Sequence, residues 1–159
     1  MPNIEYISGG DATKPNASHA FVVHVCNDVG DWAQGFVKAI SDRWSLPAER
    51  FHAGREDGTA LQLGDVQLVD VEPGVTVVNM ISQRGIYSLG HKHHNHNPLK
   101  YETLYRCLLQ VAESAKAAGA DLHMPKIGTG AARGDWTIIE KIIESACKTA
   151  EVKAYVYTQ

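Results

Sequence analysis

The sequence predicts a three-layer α/β/α fold around a mixed central sheet of about six strands. Strand-like apolar runs alternate with stretches of helical periodicity along the chain. Several of these runs are almost continuously apolar, which is typical of strands buried on both faces. Because 159 residues are enough to bury one core, we expect a single domain over residues 1–159.

Six segments are predicted to be strands because they are rich in β-branched and aromatic residues. They span residues 3–8, 20–26, 66–71, 75–81, 121–127 and 152–158. Between the third and fourth segments, Glu72-Pro73-Gly74 predicts a tight turn.

Apolar residues recur at helical spacing in three of the gaps between these strands. The three stripes run over residues 36–44, 104–115 and 138–146. The second helix is expected to start near Leu99 and to end at Gly119. Asp135 marks the start of the third helix, where Thr137 with Glu140 three residues on forms a capping-box pattern.

Composition and charge exclude several classes of function. A net charge of −3 gives no electrostatic basis for non-specific nucleic-acid binding. No segment approaches the roughly 18 consecutive apolar residues of a membrane span, and the N-terminal stretch lacks the pattern of a secretory signal. We therefore expect a cytoplasmic protein with no membrane partner. Cys26, Cys107 and Cys147 are widely spaced and odd in number, so we expect small core residues rather than disulfides.

Two glycine-bearing stretches each join a predicted strand to a predicted helix. They are "VCNDVGDWAQGFVKAI" (25–40) and "PKIGTGAARGDW" (125–136). Glycine lets a phosphate approach the backbone closely, and a helix N-terminus aims free N–H groups at it. Two such junctions at the carboxyl ends of strands predict two walls around a diphosphate. The second stretch matches neither the P-loop nor the GxGxxG fingerprint, so taken alone it is equally consistent with an ordinary connection.

Polar residues elsewhere have competing interpretations. Asp11, in "SGGDAT" after the first strand, either caps a turn or accepts a hydrogen bond from an adenine amine. Arg84 either lies on the surface or holds a terminal phosphate. His24 and His123 are expected to be hydrogen-bonded structural residues. We interpret the four histidines of residues 91–96 as a solvated loop with no metal, because ligands need rigid support; a metal-dependent activity there is the weaker alternative.

Together these motifs resemble a macrodomain, the ADP-ribose-binding α/β fold. The resemblance covers essentially the whole chain and rests on "GDAT", "HVCNDVGDWAQGFVKAI", "NMISQRG", "KYETLYRCL", "HMPKIGTGAARGDW" and "AYVYT" in that order. In detail the sequence is similar to bacterial macrodomains of the ADP-ribose 1''-phosphate-processing and ADP-ribosyl-hydrolase branch, related to terminal ADP-ribose glycohydrolases. The resemblance implies ADP-ribose or an ADP-ribosylated macromolecule as partner, no cofactor, and hydrolysis of a group on the distal ribose. A non-catalytic ADP-ribose reader is the alternative.

The resemblance also implies roles for individual residues. Asp11 and the backbone of Ala12 would hold the adenine, and Tyr157 would lie near the adenosine end. The residues expected around the distal ribose and the diphosphate are Gln34, Gly35, Phe36, Gly128, Thr129, Gly130, Ala131 and Ala132.

The sequence departs from that branch at the catalytic positions. Gln83 (or Ser82) and Ala132 stand where the related glycohydrolases have a lysine and an aspartate, so a lysine-adduct mechanism is not expected. We expect instead a bound water positioned by backbone N–H groups and by the phosphate of the substrate. The polar residues within reach of that water are the catalytic candidates Asn27, Asp28, Asp31 and Gln83, together with Arg84.

Overall fold

The computed structural model describes residues 2–33 and 35–159. The strands are β1 (Ile4–Ser8), β2 (Ala20–Asn27), β3 (Val66–Glu72), β4 (Val75–Gln83), β5 (Asp121–Met124) and β6 (Ala154–Thr158). The helices are α1 (Phe36–Arg43), α2 (Leu46–His52), α3 (Tyr101–Ala118) and α4 (Trp136–Ala150). None of these helices has the length and apolar character to cross a bilayer.

The strands form one mixed sheet in the order β1-β6-β5-β2-β4-β3. The first five of these run parallel, and β3 pairs antiparallel with β4 at the edge. The predicted mixed sheet of about six strands is confirmed. Its parallel strands all end at one edge, where the connections to the following elements meet.

Helices cover both faces of the sheet. Val22 and Val23 of β2 belong to two different buried clusters, because successive side chains of a strand point to opposite faces. The larger cluster includes α3 and α4, and the smaller ones include α1 and α2. Cys26, Cys107 and Cys147 are buried free thiols, as expected.

Several element bounds differ from the sequence prediction. β5 ends at Met124 rather than at residue 127, since Pro125 has no N–H to donate to a strand ladder. α3 begins at Tyr101 rather than near Leu99, because Lys100 has an extended backbone (φ −106°, ψ 103°) and is the N-cap of the helix. The seven-residue α2 was not predicted; it buries only Pro47 and Phe51, too few positions to make a periodic stripe.

The predicted turn and helix ends are largely confirmed. Pro73 and Gly74 connect β3 to β4, and Gly119 ends α3 in the left-handed conformation. The Asp135 carboxylate caps α4 by accepting a hydrogen bond from the Thr137 N–H at 2.9 Å. The capping box is wrong, because Thr137 already lies inside the first turn of the helix and Glu140 accepts a hydrogen bond from the Tyr6 hydroxyl.

Candidate ligand-binding cleft

A cleft of about 300 Å³ opens where β4, β2 and β5 end. Three connections surround it: the first loop (residues 27–35), the second loop (residues 125–135) and the third loop (residues 84–100). The predicted site residues that line it are Asn27, Asp31, Gly35, Phe36, Gln83, Gly128, Gly130, Ala131 and Ala132. Gln34, also predicted for this site, lies outside the described residues. The two glycine-bearing junctions therefore face one cleft.

The side chain of Asn27 holds the backbone of the first loop through three hydrogen bonds. Its side-chain oxygen accepts hydrogen bonds from the backbone N–H groups of Val29, at 3.1 Å, and of Asp31, at 3.0 Å. Its amide nitrogen donates to the Asp31 carbonyl at 2.7 Å. Because this side chain is 7% exposed and already makes three hydrogen bonds, its observed contacts hold the loop rather than reach into the cleft.

Asp28 and Gln83 connect the first loop to the third. The Asp28 carboxylate accepts from the Gly85 N–H at 2.8 Å, and the Asp28 N–H donates to the Gln83 carbonyl at 3.0 Å. The buried Gln83 amide donates to the Gly85 carbonyl at 3.1 Å. Asp31 differs from these residues, because its side chain is exposed, lines the cleft and makes no hydrogen bond within the described ranges.

Backbone hydrogen bonds and close packing shape the second loop. The Gly134 N–H donates to the Gly128 carbonyl at 2.7 Å, and the Arg133 N–H donates to the Gly130 carbonyl at 3.0 Å. A Cβ at residue 134 would lie 2.7 Å from the backbone carbonyl oxygen of Gly128, so only glycine fits there. Gly128 has a φ of 76°, a conformation that favours glycine.

This shape leaves a run of backbone donors free. Over residues 128–132, none of the five N–H groups donates to an acceptor in the described part of the chain. The N–H groups of Phe36 and Val37, in the first turn of α1 on the opposite side, are likewise free among the described residues. Clustered backbone N–H groups around a concavity are suited to binding an anion.

A buried histidine and cysteine form part of the cleft floor. His24 Nε2 lies 2.6 Å from the side-chain oxygen of Asn79, an acceptor, which places the proton on Nε2. Cys26 Sγ lies 3.6 Å from that nitrogen. Burial lowers the pKa of His24 to about 4 and raises the pKa of the Cys26 thiol. At neutral pH the pair is an uncharged imidazole beside a protonated thiol, which is unsuited to nucleophilic catalysis. His24 is the hydrogen-bonded strand residue that was expected.

The turn after β1 lies at the other end of the same sheet edge. The Asp11 carboxylate accepts from the backbone N–H of Thr13 at 2.9 Å and from its hydroxyl at 2.7 Å. The hydroxyl bond lowers the pKa of Asp11, so the carboxylate is charged at neutral pH. Asp11 therefore caps the turn, which is one of the two roles considered for it from the sequence. Ala12 is buried beside it, and neither residue lines the cleft.

Tyr157 lies next to this turn. A Cβ at Gly10 would come within 2.8 Å of the Tyr157 ring, so the ring packs against the turn. The Tyr157 hydroxyl lies 2.8 Å from His123 Nδ1, which shows the expected hydrogen-bonded histidine. At the usual spacing of about 4.8 Å between neighbouring strands, β1 and β4 lie roughly 19 Å apart along this edge.

Besides Asp28, two other predicted residues lie outside the cleft lining. Arg84 is exposed, and its backbone bonds to Pro98 and Asn95 within the third loop. Thr129 is exposed, and its hydroxyl donates to the Lys126 carbonyl at 2.7 Å. Neither side chain is brought to the cleft surface in this structure.

The histidine-rich segment (residues 91–96) is largely exposed, as expected of a solvated loop, with His94 and Asn95 half-buried. In the described ranges no three His, Cys, Asp or Glu side chains are placed to hold a metal ion. His94 is half-buried, and its Nδ1 accepts from the Ser88 N–H at 3.0 Å. The expectation of a fully solvated loop is therefore wrong for His94, because its ring packs against Tyr87.

Sequence reasoning missed Tyr87 as a cleft residue. Tyr87 lines the cleft, and the Arg133 guanidinium carbon lies 4.1 Å from the centre of its ring. The only sequence signal was an aromatic residue four positions beyond the end of a buried strand. Lys126 also lines the cleft and lies two positions beyond the end of β5.

Known proteins share this architecture over nearly their full length. No family model matches the sequence. A solved protein of unknown function from Bacteroides thetaiotaomicron is 39% identical, with 97% of this chain and 96% of that chain covered and a TM-score of 0.86. A macrodomain protein from Streptomyces coelicolor is 36% identical, with 98% and 99% covered and a TM-score of 0.80.

Two longer proteins each match this chain over part of their length. Thermosipho africanus DarTG, solved in complex with ADP-ribose, is 15% identical, with 99% of this chain and 42% of that chain covered and a TM-score of 0.72. Mouse chromodomain-helicase-DNA-binding protein 1-like is 27% identical over 98% of this chain. The chain spans 18% of the length of that curated relative. Because the Streptomyces protein is matched end to end at 36% identity, this chain belongs to the macrodomain family.

Proposed function

We propose that this protein binds ADP-ribose along the carboxyl edge of its sheet and hydrolyses a group attached to the distal ribose. The observation that carries the binding proposal is the run of free backbone N–H groups at residues 128–132. A diphosphate offers several acceptor oxygens and negative charge, which such a run of donors stabilises without any charged side chain. Family membership supports this ligand, since the DarTG relative was solved with ADP-ribose.

The layout of the sheet edge supports one direction for the ligand. Asp11 and Tyr157 lie at the β1–β6 end, where we propose that they contact the adenosine. The second loop lies near the middle of the edge and would hold the diphosphate. The distal ribose would then lie between the first and third loops, beside Phe36 and Gln83.

We assign the hydrolytic role to Asp31. The side chains of Asn27, Asp28 and Gln83 are engaged in holding the first and third loops. Asp31 has an exposed carboxylate on the cleft surface, where it would accept a proton from a water that attacks the distal ribose or its phosphate. The group released is a protein side chain, a nucleobase or a phosphate.

Binding and turnover are tested in sequence. Calorimetry with ADP-ribose should show binding at sub-millimolar ligand, and an absence of binding would contradict the proposal. The protein is then incubated with ADP-ribosylated protein, ADP-ribosylated DNA and ADP-ribose 1''-phosphate, and product release is measured. Release from any of these supports a hydrolase, whereas tight binding without release identifies a reader.

The Asp31→Asn variant tests the assignment of the base. Loss of a general base should lower the rate by about 100-fold or more, with ADP-ribose affinity within about threefold of the wild type. Asp42→Asn, at an exposed carboxylate on α1, is the matched control. An Asp31→Asn rate equal to that of the control would exclude Asp31 as the base.

A further inference from the structure

The backbone of the third loop fixes Tyr87 on the cleft wall. On one side of it, the Ile86 N–H donates to the His93 carbonyl at 3.1 Å, and the Asn95 N–H donates to the Ile86 carbonyl at 2.8 Å. On the other side, the Ser88 N–H donates to His94 at 3.0 Å. The histidine-rich segment thus holds the loop at the position of Tyr87.

Imidazole rings also pack against the Tyr87 side chain. The ring centre of His94 lies 5.1 Å from that of Tyr87, and that of His96 lies 5.7 Å away. The two imidazoles lie 4.7 Å apart in an edge-to-face arrangement. These contacts give the histidine-rich segment a role that needs no metal, which is to support one aromatic side chain of the cleft.

Arg133 contacts Tyr87 from the opposite loop. Its guanidinium carbon lies 4.1 Å from the ring centre, within the range of a cation–π interaction. Arg133 has a φ of 61°, which is uncommon for a residue with a side chain, and it forms no ion pair with a described acidic residue. Its guanidinium therefore contacts the Tyr87 ring without competition from a described ion-pair partner.

The contact joins Tyr87, which lines the cleft, to Arg133 of the second loop, which lies just beyond the lining residues 130–132. Tyr87 follows β4 and Arg133 follows β5, while β2 lies between these two strands in the sheet. Two strand spacings amount to roughly 10 Å, so the pair bridges the end of β2. Under the ligand direction proposed above, the distal ribose lies at this end.

We propose that the Tyr87–Arg133 bridge makes these two residues determinants of specificity, selecting ligands by the size of the group on the distal ribose. The proposal rests on the proposed ADP-ribose binding and narrows it. Free ADP-ribose, or ADP-ribose carrying a small group, fits beneath the closed bridge and is retained by it. A protein attached at the distal ribose cannot pass beneath the bridge, so it binds only when the contact is broken.

Release kinetics of two ligands test this selectivity. The wild type, Tyr87→Ala, Arg133→Ala and the double variant are compared with ADP-ribose and with a mono-ADP-ribosylated protein. A lost cation–π contact of about 1 kcal/mol corresponds to about fivefold faster release of ADP-ribose in either single variant. The double variant should release no faster than the singles, because all three lack the same contact. Affinity for the ADP-ribosylated protein should rise in all three variants, because its binding no longer requires the contact to be broken.

Two further variants separate the bridge from general effects. Tyr87→Phe keeps the aromatic ring, so it should release ADP-ribose nearly as slowly as the wild type and more slowly than Tyr87→Ala. Arg106→Ala, at an exposed arginine on α3 that pairs with Glu102 and does not line the cleft, should leave both ligands unaffected. Equal changes for both ligands, or additive effects in the double variant, would overturn the proposal.

A ligand-free measurement separates failure of the bridge from failure of the proposed function. In the free protein the ring current of Tyr87 should shift the NMR signals of the Arg133 side chain, and Tyr87→Ala should abolish that shift. An absent shift overturns the bridge whatever the protein binds. An observed shift with no ADP-ribose binding by the wild type overturns the proposed function and the selectivity with it.

Discussion

The two glycine-bearing loops of the cleft are built in opposite ways. In the first loop, side chains hold the backbone, since Asn27 makes three hydrogen bonds to it and Asp28 ties it to Gly85. In the second loop, backbone bonds and the absence of side chains set the shape, as at Gly128 and Gly134. Asn27 occupies two N–H groups of the first loop, at Val29 and Asp31, whereas the five N–H groups of residues 128–132 are free among the described residues. Ligand affinity should therefore depend mainly on the second loop, and stability on the first.

The largest effect is expected at Gly130 of the second loop. This glycine lines the cleft, and a Cβ there meets no other atom within 4 Å, so Gly130→Glu should fold normally. Its carboxylate would repel a diphosphate, and we expect a loss of ADP-ribose affinity of about 100-fold or more, measured by calorimetry. Ala117→Glu, at an exposed position of α3, is the control and should bind as the wild type does. Unchanged affinity in Gly130→Glu would mean that the second loop does not hold the ligand.

The cleft floor beneath both loops should make stability depend on pH. The pKa of His24 is about 4 in the folded protein, against a usual 6.5, because burial disfavours the charged form. Between pH 6.5 and pH 4 the unfolded chain therefore binds a proton that the folded chain does not. The free energy of unfolding should therefore fall by about 3 kcal/mol between pH 6.5 and pH 4 because of His24. Below pH 4, His24 should cause no further loss of stability.

Urea unfolding across this pH window measures the effect of His24. The effect of His24 is the difference in the free energy of unfolding between His24→Gln and the wild type at each pH, because all other titrating groups are common to both proteins. The variant should lose less stability than the wild type on acidification from pH 6.5 to pH 4. If the free energy of unfolding of His24→Gln and that of the wild type fell equally as the pH is lowered, His24 would not be buried in its neutral form.

In the first loop, Asn27→Ala should reduce stability. Removing the side chain leaves two N–H groups and one carbonyl without their partner, at a cost of about 2 kcal/mol in the free energy of unfolding. Asn16→Ala, at an exposed asparagine, should unfold as the wild type does. If Asn27→Ala keeps full stability and loses only turnover, Asn27 is a catalytic residue rather than the organiser of the loop.

The smallest effect is expected at Asp11, outside both loops. Asp11→Asn keeps an oxygen for the two hydrogen bonds from Thr13 but replaces the other oxygen with a donor that opposes an adenine amine. We expect affinity for ADP-ribose to fall by about tenfold with unchanged stability. Equal loss of affinity for ADP-ribose and for ribose 5-phosphate would contradict a contact with adenine.

Local sequence patterns predicted most of the fold and two of the three loops that surround the cleft. Buried parallel strands and amphipathic helices have strong periodic signals, so the mixed sheet and α1, α3 and α4 could be read from the sequence. Glycines at strand ends located the first and second loops. The short α2 has only two buried positions, too few for such a signal.

Contacts between distant segments could not be predicted in the same way. Tyr87 meets Arg133 only because the sheet order places β4 and β5 on either side of β2. The roles of Asn27 and Asp28 depend on hydrogen bonds to backbone groups whose positions follow from the folded loops. Residue type and position predicted polar side chains at the end of β2, but not that their hydrogen bonds were already used within the loops.

The most direct test of the central claim is an NMR titration of the backbone amides with ADP-ribose. We expect saturable binding at sub-millimolar ligand, with the largest downfield shifts at the N–H groups of residues 128–132 as they donate to the diphosphate. Smaller shifts are expected in the first loop, at Phe36 and Val37. Saturable binding that leaves the amides of 128–132 unmoved, or no binding at all, would contradict the account.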